Sequence, residues 1–197
     1  MNLLHIDSSI LGDASASREL TRAIVERLKT EQPDVQVTYR DLAADPLPHY
    51  SAESLTGQAP GASARDAATL EEFLAAEVIV IGAPLYNFAL PSQLKAWIDR
   101  ISIKGRTFRY GPLGPEGLAG GRRVIVALSR GGVYESGAGT EFGESYLRFL
   151  FGFLGVTDLT FVRAEGLNVS AEHRARSLGS AHTAIAALSR GRTALAA

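Results

Sequence analysis

An aromatic and amide-bearing loop, Leu85-Tyr86-Asn87-Phe88, is the segment of this chain best suited to holding a ligand. Tyrosine and phenylalanine offer flat apolar surface, and asparagine offers two donors and an acceptor. Together these groups suit a flat heterocycle with polar edges. A connection whose aromatic side chains simply pack would explain the same residues equally well, so the loop alone leaves both interpretations open.

Serines cluster after the first predicted strand, at Ser9 and again at Ser15-Ala16-Ser17. The second group stands where a helix begins, and a helix N-terminus offers unpaired N–H groups and a positive dipole to an anion. Because no glycine-rich backbone is present, the hydroxyls must supply part of the binding, which suits one phosphate better than a pyrophosphate. Taken alone, Ser15 or Ser17 is better explained as a helix N-cap. Ser9 belongs to the strand end and cannot cap that helix.

A third segment, Ser129-Arg130-Gly131-Gly132, follows another apolar run. Two successive glycines let the backbone pass close to a ligand and present N–H groups to it. A plain turn would have the same sequence, so this segment also leaves two interpretations open.

These three segments are positioned by strands and helices that alternate along the chain. Apolar runs predict buried strands at 2–7, 77–82 and 124–129, and the second run is expected to break at Pro84. Further strands are predicted at 35–39, which is more exposed, and at 157–163. Helices are predicted after the first strand (Leu20, Ala23, Ile24, Leu28), near 63–76, from Pro91 onward, near 141–153 and near 170–189. Residues 42–62 and 105–121 are rich in proline and glycine and are predicted to be irregular.

Five strands with crossover helices predict an α/β fold, a doubly wound five-stranded parallel sheet with helices on both faces. The simplest strand order is 2-1-3-4-5. In that order the first, third and fourth strands are central, so the three candidate segments line one crevice at their carboxyl ends. No repeat or linker divides the series, and residues 1–197 are expected to form a single domain.

Composition excludes several classes of function. With a net charge of −1, the chain lacks the excess of positive charge that binding to nucleic acid or to an anionic membrane requires. Cysteine is absent, and the four histidines lack ligand spacing, so no metal site is expected. No apolar segment approaches the roughly 18–20 residues that span a bilayer. The first strand follows Met1 without a leader, which predicts a cytoplasmic protein.

The three segments together resemble the FMN-dependent NADH:quinone oxidoreductases, the bacterial azoreductases of flavodoxin-like fold. The resemblance covers nearly the whole chain. Further matching motifs are Thr107-Phe108-Arg109-Tyr110, Gly114-Pro115-Glu116-Gly117-Leu118, Phe153-Leu154-Gly155 and Ala164-Glu165-Gly166.

The resemblance implies one non-covalent FMN per subunit, with electrons passing in pairs from NADH or NADPH to quinones and aromatic azo compounds in a ping-pong scheme. It assigns FMN binding to Ser9, Ser15, Ala16, Ser17, Leu85, Tyr86, Asn87, Phe88, Ser129, Arg130, Gly131 and Gly132. It assigns no catalytic side chain, because the chemistry belongs to the flavin. The implied substrate pocket contains Asn87, Tyr110, Tyr134 and Phe153.

The resemblance also implies a homodimer with both flavin sites at the interface, and Tyr110 reaching the partner's site. Apolar residues of the Pro91 helix and of 105–121 agree with this, since they exceed what one sheet face covers (Leu94, Trp97, Phe108, Tyr110, Leu113).

Some features depart from the family, and other functions remain as alternatives. Leu85 stands where the family often has methionine, Tyr134 stands where some members have histidine, and the 42–62 segment is short. The last two bear on substrate range and not on flavin binding. One alternative function is a flavodoxin-like electron carrier that binds FMN but catalyses no reaction of a substrate of its own. Another is a nucleotide-dependent regulator without flavin. Carriers tend to be strongly acidic, so the near-neutral charge favours the enzyme.

Overall fold

The computed structural model of the protein describes residues 1–56, 62–134 and 142–188. Its strands are β1 (Asn2–Asp7), β2 (Gln36–Asp41), β3 (Val78–Pro84), β4 (Phe108–Gly111), β5 (Gly114–Gly117), β6 (Arg123–Ser129) and β7 (Asp158–Ala164). Five of them form a parallel sheet in the order β2-β1-β3-β6-β7, while β4 and β5 form a separate antiparallel hairpin. Counting only the five parallel strands, this is the predicted order 2-1-3-4-5.

The strand sequences account for this order. Every residue of β3 is buried, as expected of a continuous apolar strand covered on both faces, and β6 is buried from Val124 onward. Residues of β2 are mostly exposed, which fits the edge position that this strand occupies.

Helices cover both faces of the sheet. They are α1 (Ala16–Glu31), α2 (Ala52–Thr56), α3 (Ala62–Ala75), α4 (Ser92–Ile101), α5 (Gly143–Phe153) and α6 (Ala171–Ala186). One core cluster contains Leu20 and Ile24 of α1 with Ile185 of α6. The other contains Phe73 of α3 and Trp97 of α4, and residues of α5 complete it. None of the described residues belongs to a helix long and apolar enough to cross a bilayer.

The prediction that residues 105–121 are irregular is wrong, because they contain the β4–β5 hairpin. Phe108 pairs with Gly117 and Gly111 with Gly114, so the glycines stand at the ends of the paired segment. Gly114 has a φ of +121°, a conformation that strongly favours glycine. Gly117 packs directly on the backbone at Gly155. Glycine here permits a tight turn and a close backbone approach, and does not break the strands.

Two further predictions need correction. The strand predicted to stop at residue 82 continues through Ala83 and ends at Pro84, which lies opposite Ser129. Pairing with β1 stops at Gly82, so no amide donor is needed on that side at Pro84. The 42–62 segment contains the short helix α2, while its residues 57–61 lie outside the described part of the chain.

The apolar residues expected at an interface divide into two groups. Leu94 and Trp97 are at most 1% exposed and belong to the core, so they contribute nothing to a surface. Phe108 is partly buried and packs against the same core. Tyr110 and Leu113 are exposed, at 65% and 102%.

Candidate functional site

The carboxyl ends of β1, β3 and β6 bring the three predicted segments together. The Leu85 amide donates to the Ser129 carbonyl at 2.8 Å, which joins the loops after β3 and β6. The Ser9 and Tyr86 hydroxyls hydrogen-bond at 3.0 Å, which joins the loops after β1 and β3. Three neighbouring strands thus place all three segments together at the carboxyl ends of the sheet.

Two serine hydroxyls lie together at the start of α1, and the hydroxyl of Ser9 contacts Tyr86. Ser9, Ser15 and Ser17 are each at most 3% exposed, and the Ser15 and Ser17 hydroxyls lie 3.0 Å apart. Ser15 is the N-cap, as its side chain accepts from the Arg18 amide at 3.3 Å, whereas Ser17 lies inside the helix. Within the described residues, the amides of Ala16 and Ser17 have no protein acceptor, as expected of a first helical turn. We call the hydroxyls of Ser15 and Ser17, together with the amides of Ala16 and Ser17, the serine cradle.

The loop after β3 is a tight two-residue turn in a costly conformation. Tyr86 and Ala89 exchange backbone hydrogen bonds of 2.9 and 3.0 Å, and the two residues between them have positive φ, +48° for Asn87 and +68° for Phe88. Asparagine tolerates this region, but phenylalanine in it costs about 1–2 kcal/mol. The Phe88 side chain is 54% exposed, so its own burial explains little of why it stands there. Strain of this kind concentrates at ligand sites.

The carbonyls of Gly131 and Gly132 are bonded within the protein, which leaves the N–H groups of these two glycines as their available hydrogen-bonding groups among the described residues. The Gly131 carbonyl accepts from the Asn168 amide at 3.0 Å and the Gly132 carbonyl from the Gly166 amide at 2.8 Å. Across the described part of the chain, the N–H groups of these two glycines have no protein acceptor. A Cβ at Gly131 would lie 2.5 Å from Nδ2 of Asn168, so a side chain at this position would displace the Asn168 amide group.

Arg130 anchors the glycines from the side. Its guanidinium lies 3.3 Å from the Glu144 carboxylate and 3.0 Å from that of Glu165, and its side chain is 5% exposed. Its backbone bonds to Ala164 and Leu167. Both parts of Arg130 therefore hold neighbouring elements in place beside the site.

The predicted substrate residues fall into two sets. The Tyr134 ring lies edge-on to Phe88 at 6.4 Å, and its atoms are 3.4–3.6 Å from where a Cβ at Gly132 would stand, which places it between the turn after β3 and Gly132. Tyr110 and Phe153 belong to a second aromatic cluster around Phe108, with ring centroids 5.6 and 4.8 Å from that residue. Phe149 extends this second cluster toward solvent.

The donor set fits FMN. Buried hydroxyls and unpaired helix-start amides suit one phosphate. The strained aromatic turn and the glycine N–H groups suit a flat ring with polar edges. For the described residues, no group of three histidine, aspartate or glutamate side chains is arranged to hold a metal ion.

Two residues that the sequence analysis missed lie against the serine cradle. Arg18 of α1 and Asp41 at the end of β2 form a two-bond ion pair with N–O distances of 2.7 Å. The Arg18 hydrogen bonds lower the pKa of the Asp41 carboxyl below its ordinary value. Arg18 lies on α1 and Asp41 on β2, so these two residues meet only in the folded chain, and their separation along the chain carries no motif.

A tyrosine beside this pair stays protonated. Burial, and then the charges of Asp7 and Asp41, raise the pKa of Tyr39 to about 12. Its hydroxyl donates to Asp7 Oδ2 at 3.1 Å and accepts from Arg18 Nη1 at 3.2 Å. The polar groups beneath the cradle are therefore bonded to one another in a fixed arrangement.

Comparison with known proteins agrees with this geometry. A family model described as a flavodoxin-like fold matches residues 1–188. The FMN-dependent NADH:quinone oxidoreductase of Xanthomonas oryzae pv. oryzae (strain MAFF 311018) is 58% identical over 181 residues, which are 92% of this chain and 93% of the relative. The protein of the same name from Methylocella silvestris is 54% identical over 198 residues, covering 94% and 97%.

Two solved azoreductase structures are also similar to this chain. An azoreductase from Bacillus anthracis str. Sterne superposes with a TM-score of 0.85 at 27% identity, covering 95% of this chain and 100% of the other. An FMN-dependent NADH-azoreductase from Bacillus anthracis str. Ames Ancestor, solved in complex with FMN, gives 0.83 at 28% identity, covering 94% and 98%. The chain therefore belongs to the FMN-dependent NADH:quinone oxidoreductase family of the flavodoxin-like fold.

Proposed function

We propose that residues 1–197 form a single FMN-binding domain that works as an FMN-dependent NAD(P)H:quinone oxidoreductase with azoreductase activity. The names of its relatives and structural neighbours support the reaction. The observation that carries the proposal to this chain is the joining of its three crevice loops by the Leu85–Ser129 and Ser9–Tyr86 hydrogen bonds. These bonds unite a donor cluster, an aromatic turn and an N–H edge in one place.

Each loop has a separate task in holding FMN. Bound FMN would accept a hydride from NADH or NADPH and deliver two electrons to a quinone or an azo compound. The serine cradle, with Ser9, would hold the phosphate. Leu85, Tyr86, Asn87 and Phe88 would flank the ring, and Ser129 and Arg130 would set the position of the neighbouring loop. Gly131 and Gly132 would donate to the polar edge of the ring, where hydrogen-bond donors stabilise added negative charge.

The chain's own contribution to turnover is binding, orientation and exclusion of water. The aromatic faces of Phe88 and Tyr134 line the space beside the turn, which suits flat substrates. We assign no side chain as acid or base. Asn87 belongs to this pocket, and Tyr110 and Phe153 belong to it in the assembled protein.

The proposed assembly is a homodimer. Tyr110, Leu113 and Phe149 are 65%, 102% and 73% exposed, and a group of large exposed apolar side chains usually marks an interface. The second aromatic cluster contains Tyr110, and we propose that this residue reaches the partner's site across the interface. Nucleic acid and membranes are not proposed as partners, since the net charge is −1, and the expected location is the cytoplasm.

The spectrum and the kinetics of the purified protein test this function. The protein should be yellow and release about one FMN per chain on heating, and NADH should reduce benzoquinone and an azo dye in its presence. Double-reciprocal plots should be parallel, because donor and acceptor use the same pocket in turn. A colourless protein that takes up no FMN would refute the proposal. A yellow protein that NADH cannot reduce would instead be an electron carrier.

A further inference from the structure

The structure assigns a positioning role to the ion pair of Arg18 and Asp41. We propose that this pair fixes the peptide between Ser9 and Ile10 in an orientation that leaves the serine cradle lined by donors, and so allows it to accept a phosphate. The inference rests on the proposed binding of FMN. It deepens that proposal by naming residues that would act on the phosphate without touching it.

The Ser9–Ile10 peptide is held at both ends. Its carbonyl accepts from Arg18 twice, from Nε at 3.3 Å and from Nη2 at 2.8 Å. Its N–H donates to the Tyr86 hydroxyl at 3.2 Å. The carbonyl and the N–H of a planar trans peptide point in opposite directions. Without Arg18 this unit could rotate and turn a carbonyl oxygen toward the cradle, where it would repel an anion.

The guanidinium of Arg18 is itself fixed by Asp41. Nη1 donates to Oδ2 and Nη2 to Oδ1, each at 2.7 Å, in the bidentate geometry that makes such pairs strong. Oδ1 also accepts from the amides of Ala43 and Ala44 at 3.0 and 3.1 Å. Asp41 is therefore anchored to the backbone that follows β2, and its two hydrogen bonds restrict the movement of the Arg18 guanidinium.

Arg18 has no donor left for a ligand. An arginine side chain carries five N–H donors. In this structure two go to the Ser9 carbonyl, two to Asp41 and one to the Tyr39 hydroxyl. Its charge is matched by Asp41, and Asp7 Oδ2 lies 3.9 Å from Nη1. Arg18 is consequently a positioning residue and not a phosphate ligand.

A comparison of FMN with riboflavin isolates this role, because the two molecules differ only in the phosphate. Binding of each to the apoprotein is measured by quenching of flavin fluorescence, for the wild type and for Arg18→Gln. The FMN dissociation constant should rise roughly tenfold, as expected for disturbed hydrogen bonds to a charged group. The riboflavin constant should stay close to that of the wild type. The ratio of the two constants is the readout, since a general loss of stability would not change it.

The neighbouring residue on β2 supplies a matched control. Arg40 forms a comparable two-bond pair with Glu72 of α3, at 2.7 and 2.6 Å, away from the cradle. Arg40→Gln removes an ion pair of the same kind and should leave the ratio of the FMN and riboflavin constants unchanged. Two milder variants, Asp41→Asn and Tyr39→Phe, keep the side-chain shapes and should shift the ratio in the same direction as Arg18→Gln by smaller factors. They provide the test if Arg18→Gln does not fold.

The outcomes separate this inference from the function on which it rests. A wild type that binds FMN no better than riboflavin would overturn the proposed phosphate site, and the role of Arg18 with it. A wild type that prefers FMN, with folded Arg18 or Asp41 variants that keep the same ratio, would overturn the positioning role alone. Equal weakening of FMN and riboflavin would show that the pair supports the fold and not the cradle.

Discussion

Replacing Gly117 by alanine would force a methyl group into the backbone where the β4–β5 hairpin meets the end of α5. The added Cβ would lie 2.1 Å from the Gly155 nitrogen and 2.3 Å from the Leu154 carbonyl carbon. Ordinary contacts begin at 3.4 Å, so the two segments would have to separate by more than about 1 Å. Side-chain rotation cannot relieve this clash, because both neighbours are backbone atoms.

The expected cost follows from this geometry. Overpacking of a close contact costs about 1–3 kcal/mol, and a backbone clash belongs to the upper part of that range. For a chain of this size each kcal/mol lowers the melting temperature by about 2–4 °C, so a decrease of roughly 5–10 °C is expected. A displaced hairpin would also separate Phe108 from Phe153, whose rings lie 4.8 Å apart. The KM for quinone should therefore rise more than the FMN dissociation constant.

Thermal unfolding of Gly117→Ala beside Gly152→Ala provides the assay. Gly152 lies in α5, and a Cβ there would meet no atom within 4 Å. Alanine in a helix is favoured over glycine by about 0.5–1 kcal/mol, so this control should melt slightly above the wild type. The same chemical change should thus have opposite effects at two nearby positions. If Gly117→Ala melted together with the wild type, the hairpin contact would be looser than described and the reasoning would fail.

Four other measurements test the remaining expectations. Ser17→Ala should weaken FMN binding by about 1–2 kcal/mol, because it removes a hydrogen bond to a charged group; unchanged affinity in both Ser17→Ala and Ser9→Ala would place the phosphate elsewhere. Phe88→Ala should slow reduction by NADH and reoxidation by quinone in stopped-flow experiments, whereas Arg176→Ala, at a side chain 69% exposed on α6, should slow neither. Sedimentation at micromolar concentration should give twice the 21.0 kDa of one chain, and a monomer would refute the dimer. Because the pKa of Asp41 is lowered in the folded protein, its ion pair stabilises the fold above the ordinary carboxyl range, and this contribution should disappear as the pH falls below about 4. The unfolding free energy of Asp41→Asn should therefore change less between neutral and acid pH than that of the wild type. An unchanged pH dependence would contradict the pairing.

The sheet was predictable where burial alone determines the strand. The apolar runs of β1, β3 and β6 and their alternation with helices were sufficient for the strand order. The β4–β5 hairpin was missed because its glycines and prolines are typical of irregular loops. The glycine at position 117 is needed for a close contact with Gly155, which lies far along the chain. A pattern read within a short window cannot contain such a contact.

Prediction of the site had the same limit. Sequence placed the serines, the aromatic turn and the paired glycines at strand ends, and the structure joins those ends. It could not show that Ser9 bonds to Tyr86, or that Arg18 reaches Asp41, since both contacts depend on strand register. The positive φ of Phe88 was also hidden, because most residues with that conformation are glycine or asparagine.

The loops that follow β1, β3 and β6 are far apart in the chain, and for this reason we expect the lifetime of the protein to depend on its cofactor. Ser9, Asn87 and Gly131 follow β1, β3 and β6, so a chain in which these strands have not paired would lack the proposed FMN site. A ligand that binds only the native state stabilises it by mass action, by about 2.7 kcal/mol at one hundred times its dissociation constant. Proteases act on the opened chain, whose population falls as this free energy rises. The abundance of the enzyme should therefore follow the supply of flavin, even when its synthesis is constant.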